Sequence, residues 1–289
     1  METHKIYFVY LENMKVLDDY IESLGFIHKC VELGDINDYY NLNDIFIFGQ
    51  MWLDIEYNPQ LINNPNFMFL NVEMLTDKKR LKHIKPFLYN NINVIDYSLC
   101  NIDIMKHIIA NENIPYTGKL IYLPYQYNPK EVAILKNDDG IYEYDVGIIN
   151  AVTTKAPSNN HFKHRRTEFW NKINTETDWK CINILGWGKE RDELIKKCKI
   201  IINIHNFDFF TIFEHIRCDR LIFANKIVVS DKSYKTNLLD IEPYVYWEDY
   251  DNIIPKTQAL LNMFDKVTNW PPKYDLSNII NNRKHFVKL

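Results

Sequence analysis

Short apolar runs alternate with amphipathic stretches along the first 124 residues. Ile6-Tyr7-Phe8-Val9-Tyr10 is typical of a buried strand, and helical spacing follows from Val16 to Leu24, where Gly25 ends it. The same alternation predicts strands at 27–33, 44–48, 66–70, 93–97 and 120–124, and helices at 76–87 and 102–111. Near-continuous apolar strands separated by helices indicate a parallel sheet covered on both faces.

The alternation starts again after residues 124–129, where prolines disfavour a helix. It predicts strands at 144–150, 181–185, 199–204 and 226–229, and helices at 167–174, 190–197, 213–223 and, as the last one, 253–264. We therefore predict two Rossmann-like α/β domains, 1–124 and 125–289, with the last helix able to pack back on the first domain.

Composition narrows the class of protein. The chain has 289 residues, 46% of them hydrophobic and 25% charged, which is typical of a globular protein. Its net charge of −4, with both signs mixed along the chain, argues against a nucleic-acid partner. Frequent Asn, Ile, Lys, Tyr and Phe suggest a low-GC genome, that of a bacterium or a large DNA virus.

The five cysteines never form a C-x-x-C pair, which argues against a disulfide framework and a structural zinc site. With no apolar run of 18 residues, we expect no membrane span and a cytoplasmic location.

Several common catalytic and cofactor motifs are missing from the sequence. The eight glycines form neither G-x-G-x-x-G nor a P-loop, and there is no G-x-S-x-G elbow. His161 and His164 lack a third metal ligand at a recognisable spacing, so a basic loop is the simpler interpretation. Asp249-Tyr250-Asp251 matches the metal-binding D-x-D pattern, but its place before an apolar helix favours a helix cap. We therefore expect no metal.

Polar residues concentrate between positions 201 and 233. A buried strand leads to Asn203 and His205, and a helix begins near Glu214, with two arginines following at i, i+3 spacing. An acid at a helix start with arginines further along is also an ordinary stabilising pattern. The alternative is a sugar-nucleotide pocket, in which helix amides bind the diphosphate, a carboxylate binds ribose and arginines neutralise phosphate charge.

Three segments of this region resemble those of GT-B-type glycosyltransferases from bacteria and large DNA viruses. They are N-I-H at 203–205, F-E-H-I-R at 213–217 and V-V-S-D-K-S at 228–233, where Asp231 replaces the usual Glu. Short segments at 69–73, 96–98 and 123–125 also match that group. Many GT-B enzymes carry a second Glu and a Gly where this chain has Arg220 and Asn225.

The resemblance implies a GT-B fold, with two Rossmann-like domains facing across a cleft. It implies a metal-independent hexosyltransferase that moves a sugar from a UDP- or GDP-linked donor to a glycan or glycoconjugate acceptor. A nucleotide-sugar or glycan-binding module without catalysis is the alternative.

The donor is expected at the carboxyl ends of the second domain's strands. Trp187 would stack on the base, or it packs the edge of the domain. The predicted donor residues are Asn150, Thr153, Gly186, Trp187, Asn203, Phe213, Glu214, Arg217, Arg220, Ser230 and Ser233.

The acceptor is expected on the first domain, where Gln50, Asp54, Glu56 and Glu73 follow predicted strands. Glu73 and His205 are the predicted catalytic residues, Glu73 as the general base of an inverting enzyme. A retaining enzyme needs no such base, and a solvated loop acid is the plainer interpretation of Glu73.

Overall fold

The computed structural model divides the chain into two compact units, residues 1–126 with 283–289 and residues 127–282. It describes residues 5–10, 17–26, 28–32, 35, 38, 43–49, 64–149, 165–209, 211–266 and 274–286.

The first unit is built on a six-stranded parallel sheet in the order β2-β1-β3-β4-β5-β6. Its strands are β1 (Ile6–Tyr10), β2 (His28–Glu32), β3 (Ile45–Phe48), β4 (Phe67–Asn71), β5 (Asn93–Asp96) and β6 (Leu120–Tyr122). The helices are α1 (Asp18–Ser23), α2 (Lys78–Tyr89) and α3 (Leu99–Asn111). The apolar strands build a core in which Phe46 and Phe48 are fully buried.

The end of the described chain contributes to this first unit. The fully buried Arg283 donates from its guanidinium to the Tyr125 carbonyl at 2.7 Å. The Gln126 side chain donates in return to the Arg283 carbonyl at 3.2 Å. The first unit therefore combines residues that are more than 150 positions apart in the chain.

The second unit has a five-stranded parallel sheet in the order β11-β10-β9-β7-β8. Its strands are β7 (Tyr144–Ile149), β8 (Cys181–Ile184), β9 (Cys198–Asn203), β10 (Ile227–Asp231) and β11 (Tyr246–Glu248). The helices are α4 (Pro129–Leu135), α5 (Arg165–Glu176), α6 (Lys189–Lys196), α7 (His215–Phe223), α8 (Ile253–Lys266) and α9 (Ser277–Lys284), of which α9 ends within the first unit's residues.

Close packing at the centre of the second sheet requires a glycine in β7. A Cβ added at Gly147 would lie 2.7 Å from Cys198 Sγ and 2.8 Å from Ile184 Cδ1. Both distances are shorter than carbon contacts allow, so a larger residue here would force the sheet to shift.

The predicted pair of parallel α/β sheets is confirmed. Helix α4, strand β11 and helix α9 were not predicted, and the helix at 253–264 is not the last one. Strand β10 runs two residues further than expected, to Asp231, because its polar end still pairs with Glu248 of β11.

The D-x-D segment lies directly before α8, where Asp251 or Asn252 is the expected cap. Residues 250–252 form a 3-10 turn that leads directly into α8, and Asp249 makes no side-chain cap hydrogen bond. The Asp249 carboxylate instead lies 3.0 Å from Lys232 Nζ, and Asp251 has an 89% exposed side chain.

Candidate functional site

A polar cluster lies at the carboxyl ends of β9 and β10 in the second unit. The two strands pair in parallel, with Asn203 opposite Ser230, so the residues that follow them meet at one edge of the sheet. The order of the sheet also reverses between β7 and β9. In open parallel sheets, ligands bind at the carboxyl edge beside such a reversal.

Three residues of this cluster form a chain of polar contacts. Ser233 Oγ lies 3.1 Å from His205 Nε2, and His205 Nδ1 lies 2.6 Å from Asp231 Oδ1. The Nδ1 atom is not aligned for a hydrogen bond with the carboxylate, so that contact is one of charge proximity. The His205 backbone N–H donates to Asp231 Oδ1 at 3.1 Å and fixes the two residues together.

Glu214 joins two arginines beside this chain. It immediately precedes α7, and its carboxylate accepts hydrogen bonds from Arg166 through one oxygen and from Arg217 through the other. Arg166 Nε also donates to the Ile204 carbonyl at 2.6 Å. The loop after β9, the start of α5 and the start of α7 are thereby tied together.

The ionisation of these groups follows from burial and from their neighbours. Burial alone would raise the pKa of Glu214, but the positive charges of Arg166 and Arg217 hold that pKa below its usual value. Burial, helped by the charge of Arg217, lowers the pKa of Arg166 to about 10. Glu214 and Arg166 are therefore charged at neutral pH.

Arg165 extends the cluster towards Asp231. Its guanidinium lies 2.9 Å from Asp231 Oδ2 and 3.1 Å from the exposed Asp208 carboxylate, and it stacks 4.6 Å from the centre of the Tyr250 ring. The aromatic contact and the two carboxylates hold this arginine at the sheet edge.

Neutral polar side chains complete the edge between the two strands. The Asn203 amide donates to Ser230 Oγ at 3.1 Å, and Arg217 donates to Asn203 Oδ1 at 3.4 Å. Ser230 Oγ donates to the Asp231 carbonyl at 3.0 Å. Asn203 and Ser230 are therefore hydrogen-bonded to each other and to the charged residues Arg217 and Asp231.

The charges of the cluster do not balance. The three guanidinium groups of Arg165, Arg166 and Arg217 stand against the two buried carboxylates of Glu214 and Asp231, which leaves one positive charge when His205 is neutral. Asp208 adds a carboxylate whose side chain is 88% exposed and largely screened by water. An excess of positive charge on partly buried arginines at the carboxyl edge of a parallel sheet favours an anionic ligand.

Arg220 lies away from this cluster. It is buried, with Nε 2.5 Å from Glu131 of α4 and NH1 3.0 Å from Asp192 of α6. The predicted common face with Glu214 and Arg217 is therefore wrong. Two steps of three residues turn a helix about 120° away from the starting face, and Glu214 itself precedes the helix.

Phe213 is part of the core and not of the polar edge. It is buried, with its ring 5.0 Å from that of Trp247 and 5.2 Å from that of His215.

Trp187 lies on an open loop after β8. Its neighbours Gly186 and Gly188 both have positive φ, with nothing within 4 Å of an added Cβ. The Trp187 residue is 44% exposed, with the Arg191 guanidinium 5.7 Å from its ring centre. It is thus accessible to a ligand and does not pack into the core.

In the first unit, Glu73 is already paired. Its carboxylate accepts from Arg80, and its backbone carbonyl accepts from the amides of Asn71 and Asn101 at 2.9 and 2.8 Å. A carboxylate held by an arginine is a weaker base, because ionisation is favoured by the pairing. Five other predicted residues lie outside the described part of the chain: Gln50, Asp54, Glu56, Asn150 and Thr153.

Arg165 and Arg166, at the start of α5, were not predicted as site residues. A paired arginine at a helix start, following a polar loop after a buried strand, was the available signal. Arg166 pairs with Glu214, 48 positions further along the chain, and Arg165 pairs with the still more distant Asp231. Local sequence spacing could therefore not reveal these pairs.

Over the described ranges, no group of three or more His, Cys, Asp or Glu side chains is arranged to hold a metal ion. The helices that the structure describes include none with the length and apolar character needed to cross a membrane.

Comparison with known proteins identifies relatives in a giant virus. The chain is 32% identical over 260 residues to uncharacterized protein L140 of Acanthamoeba polyphaga mimivirus, an alignment that covers 86% of this chain and 77% of L140. It belongs to the same family as L140. Mimivirus protein R358 is 31% identical over 219 residues, which are 73% of this chain and 68% of R358.

One further member of the family is much longer. Mimivirus protein L137 is 31% identical over 277 residues, covering 92% of this chain but 33% of L137. A region similar to most of this chain therefore makes up 33% of L137. No family model matches the chain.

Proposed function

We propose that the protein is a glycosyltransferase that binds a nucleotide-diphosphate sugar at the carboxyl edge of the second sheet. The observation that carries the proposal is the excess positive charge of Arg165, Arg166 and Arg217 at the ends of β9 and β10. In this proposal the diphosphate lies against the arginines and the start of α7, whose amides add partial positive charge.

In this proposal Glu214 positions two arginines and does not contact the ribose. Both of its oxygens are engaged by arginines, so it orients Arg166 and Arg217 towards the ligand. Fixed donors of this kind stabilise negative charge on a departing diphosphate without reorganising. A divalent metal is then not required, which agrees with the GT-B resemblance.

The rest of the GT-B arrangement is part of the same proposal. The first unit would supply the acceptor side, and the two sheets would face each other across the cleft in which a glycan or glycoconjugate binds. The exposed Trp187 would contact the base or the sugar.

A panel of UDP- and GDP-sugars in a thermal-shift screen is the first test. A ligand at about 100 times its dissociation constant adds about 2.7 kcal/mol to stability, which is readily measured. Arg217→Ala should weaken the binding of the best ligand by about 10- to 150-fold, the effect of losing a charged hydrogen bond of about 1.5 to 3 kcal/mol.

Lys197→Ala is the matched control for that variant. Lys197 precedes β9, at the opposite edge of the same sheet, and its ammonium group pairs with Glu143 at 2.8 Å. The proposed donor site would be contradicted if the two variants bound the ligand with equal affinity. It would also be contradicted if the ligand slowed hydrogen exchange only in residues before 124.

One observation favours a second candidate, a nucleotide-sugar-binding module without catalysis. The acid predicted as the general base, Glu73, is ion-paired with Arg80. Release of free sugar from the donor in the absence of acceptor distinguishes the two, because a transferase leaks sugar to water and a binding module does not.

A further inference from the structure

The Ser233 hydroxyl lies where the buried part of the polar cluster reaches the protein surface. Ser233 is partly exposed, whereas His205 and Asp231 have side chains that are 1% and 3% exposed. Its Oγ atom is 3.1 Å from His205 Nε2. The direction of the Ser233 O–H therefore depends on whether His205 Nε2 accepts or donates a hydrogen bond.

The imidazole has two relevant protonation states. The negative charge of the Asp231 carboxylate, 2.6 Å from Nδ1, favours the neutral tautomer of His205 in which Nδ1 carries the proton. Nε2 then accepts the Ser233 O–H, and only oxygen lone pairs face outwards. When His205 is protonated, Nε2 donates to Ser233 Oγ, and the hydroxyl hydrogen is free to point at a ligand.

Five charged groups surround this imidazole. Asp231 faces it from the end of β10 and Glu214 from the start of α7, while Arg165 and Arg166 from α5 and Arg217 from α7 pair with those carboxylates. An anion placed beside the arginines would add negative charge next to the imidazole and favour its protonated form. Binding of an anion and protonation of the imidazole should therefore favour each other.

We propose that Ser233 is a phosphoryl contact of this site and that it becomes a hydrogen-bond donor through proton uptake by His205. The proton comes from solvent and enters at Nε2, and the Ser233 O–H rotates to donate to a non-bridging phosphoryl oxygen. No covalent bond changes. The inference rests on the proposed donor site and adds that anion binding there is linked to one proton.

Isothermal calorimetry in buffers of different ionisation enthalpy measures this proton directly. The probes are sulfate and UDP-glucose, neither of which gains or loses a proton near neutral pH. We expect uptake approaching one proton per bound anion, and an affinity that falls by up to about tenfold per pH unit in measurements made over a range from about pH 5 to about pH 8.

Two variants complete the experiment. Ser233→Ala should bind the probes more weakly at the acidic end of the range and with a flatter pH profile, because the switched donor is missing. Ser277→Ala, which changes an exposed serine at the start of α9, should match the unaltered protein.

The outcomes separate this inference from the proposed function. UDP-glucose binding without proton uptake, or an unchanged pH profile in Ser233→Ala, would overturn the inference and leave the donor site standing. Proton-linked sulfate binding with no affinity for any UDP- or GDP-sugar would support the inference and contradict the proposed function. Failure of sulfate and of every nucleotide sugar to bind would overturn both.

Discussion

Replacing Asp96 by Asn should reverse the order of stability of the two proteins between pH 5 and pH 8. Asp96 ends β5 and is completely buried. Its carboxylate accepts from the Asn71 amide at 2.7 Å, from the Ser98 N–H at 2.7 Å and from the Asn101 amide at 3.3 Å. Burial nevertheless raises the pKa of Asp96 to about 8, because these three hydrogen bonds offset only part of the cost of burying charge.

The sign of the pH dependence follows from this raised pKa. Between about pH 4, where an aspartate titrates in the unfolded chain, and pH 8, the folded protein holds a proton that the unfolded chain has released. The free energy of unfolding therefore falls as the pH rises through this window. About four pKa units at about 1.4 kcal/mol each give a loss on the order of 5 kcal/mol by pH 8.

The Asn variant lacks this loss but has a cost of its own. Its carbonyl can accept from Ser98 and Asn101, whereas its amide group faces the Asn71 amide. The Asn71 amide must therefore turn over and give up two hydrogen bonds, the one that it donates to the Glu73 carbonyl and the one that it accepts from the Glu73 N–H. Two lost hydrogen bonds cost about 2 kcal/mol. The unaltered protein has lost only about 1.5 kcal/mol by pH 5, and more than this cost by pH 8. The variant should thus be less stable than the unaltered protein at pH 5 and more stable at pH 8.

Urea denaturation followed by circular dichroism at several pH values checks this, with hydrogen exchange of the β4 and β5 amides reporting on the first unit. Asp138→Asn, which changes a 68% exposed aspartate, is the control and should leave the pH profile above pH 5 unchanged. The reasoning would be refuted if the free energies of unfolding of Asp96→Asn and of the unaltered protein changed in parallel with pH across this window. Asp96 would then not titrate there.

Three other outcomes are expected. Arg220→Ala leaves the buried Glu131 and Asp192 without their shared cation and should lower the free energy of unfolding by about 3 to 5 kcal/mol in urea denaturation; a loss under 1 kcal/mol would contradict the ion-pair description. Glu214→Ala leaves two arginines unneutralised, so sulfate should raise its melting temperature more than it raises that of the unaltered protein, and equal shifts would argue against an anion site. Sugar transfer, once a donor is found, should persist in excess EDTA, whereas loss of activity that manganese restores would favour a metal-dependent mechanism.

The alternation of apolar strands and helices was enough to predict most of the fold, because buried parallel strands are continuous apolar runs. The missed helix α4 had local signals: Pro129 occupies its first turn and Asn128 caps it by accepting from the Lys130 N–H at 3.1 Å. Proline was interpreted only as a helix breaker. Strand β11 has three partly buried residues and no clear period of its own, so its sheet partner β10 determines it.

The candidate site was predictable only where it follows the strands. Asn203, His205 and Ser233 lie at the ends of β9 and β10, and the order of parallel strands brings such ends together. The pairing of Glu214 with Arg166 depends on how α5 packs against the sheet, which no local pattern encodes. Arg217 and Arg220 are both arginines of α7, but Arg220 faces α4 and α6. Helix packing, which the local sequence does not show, therefore determines which of them lies at the site.

The place of Arg283 in the first unit has a consequence for how the chain acquires its structure during translation. A ribosome makes residues 1–126 long before Arg283, so the nascent first sheet must wait for its closing contacts with Tyr125 and Gln126. Synthesis from the N-terminus usually favours the first domain, yet here the first unit obtains these contacts only once translation has passed Arg283, when every residue of the second unit has also been made.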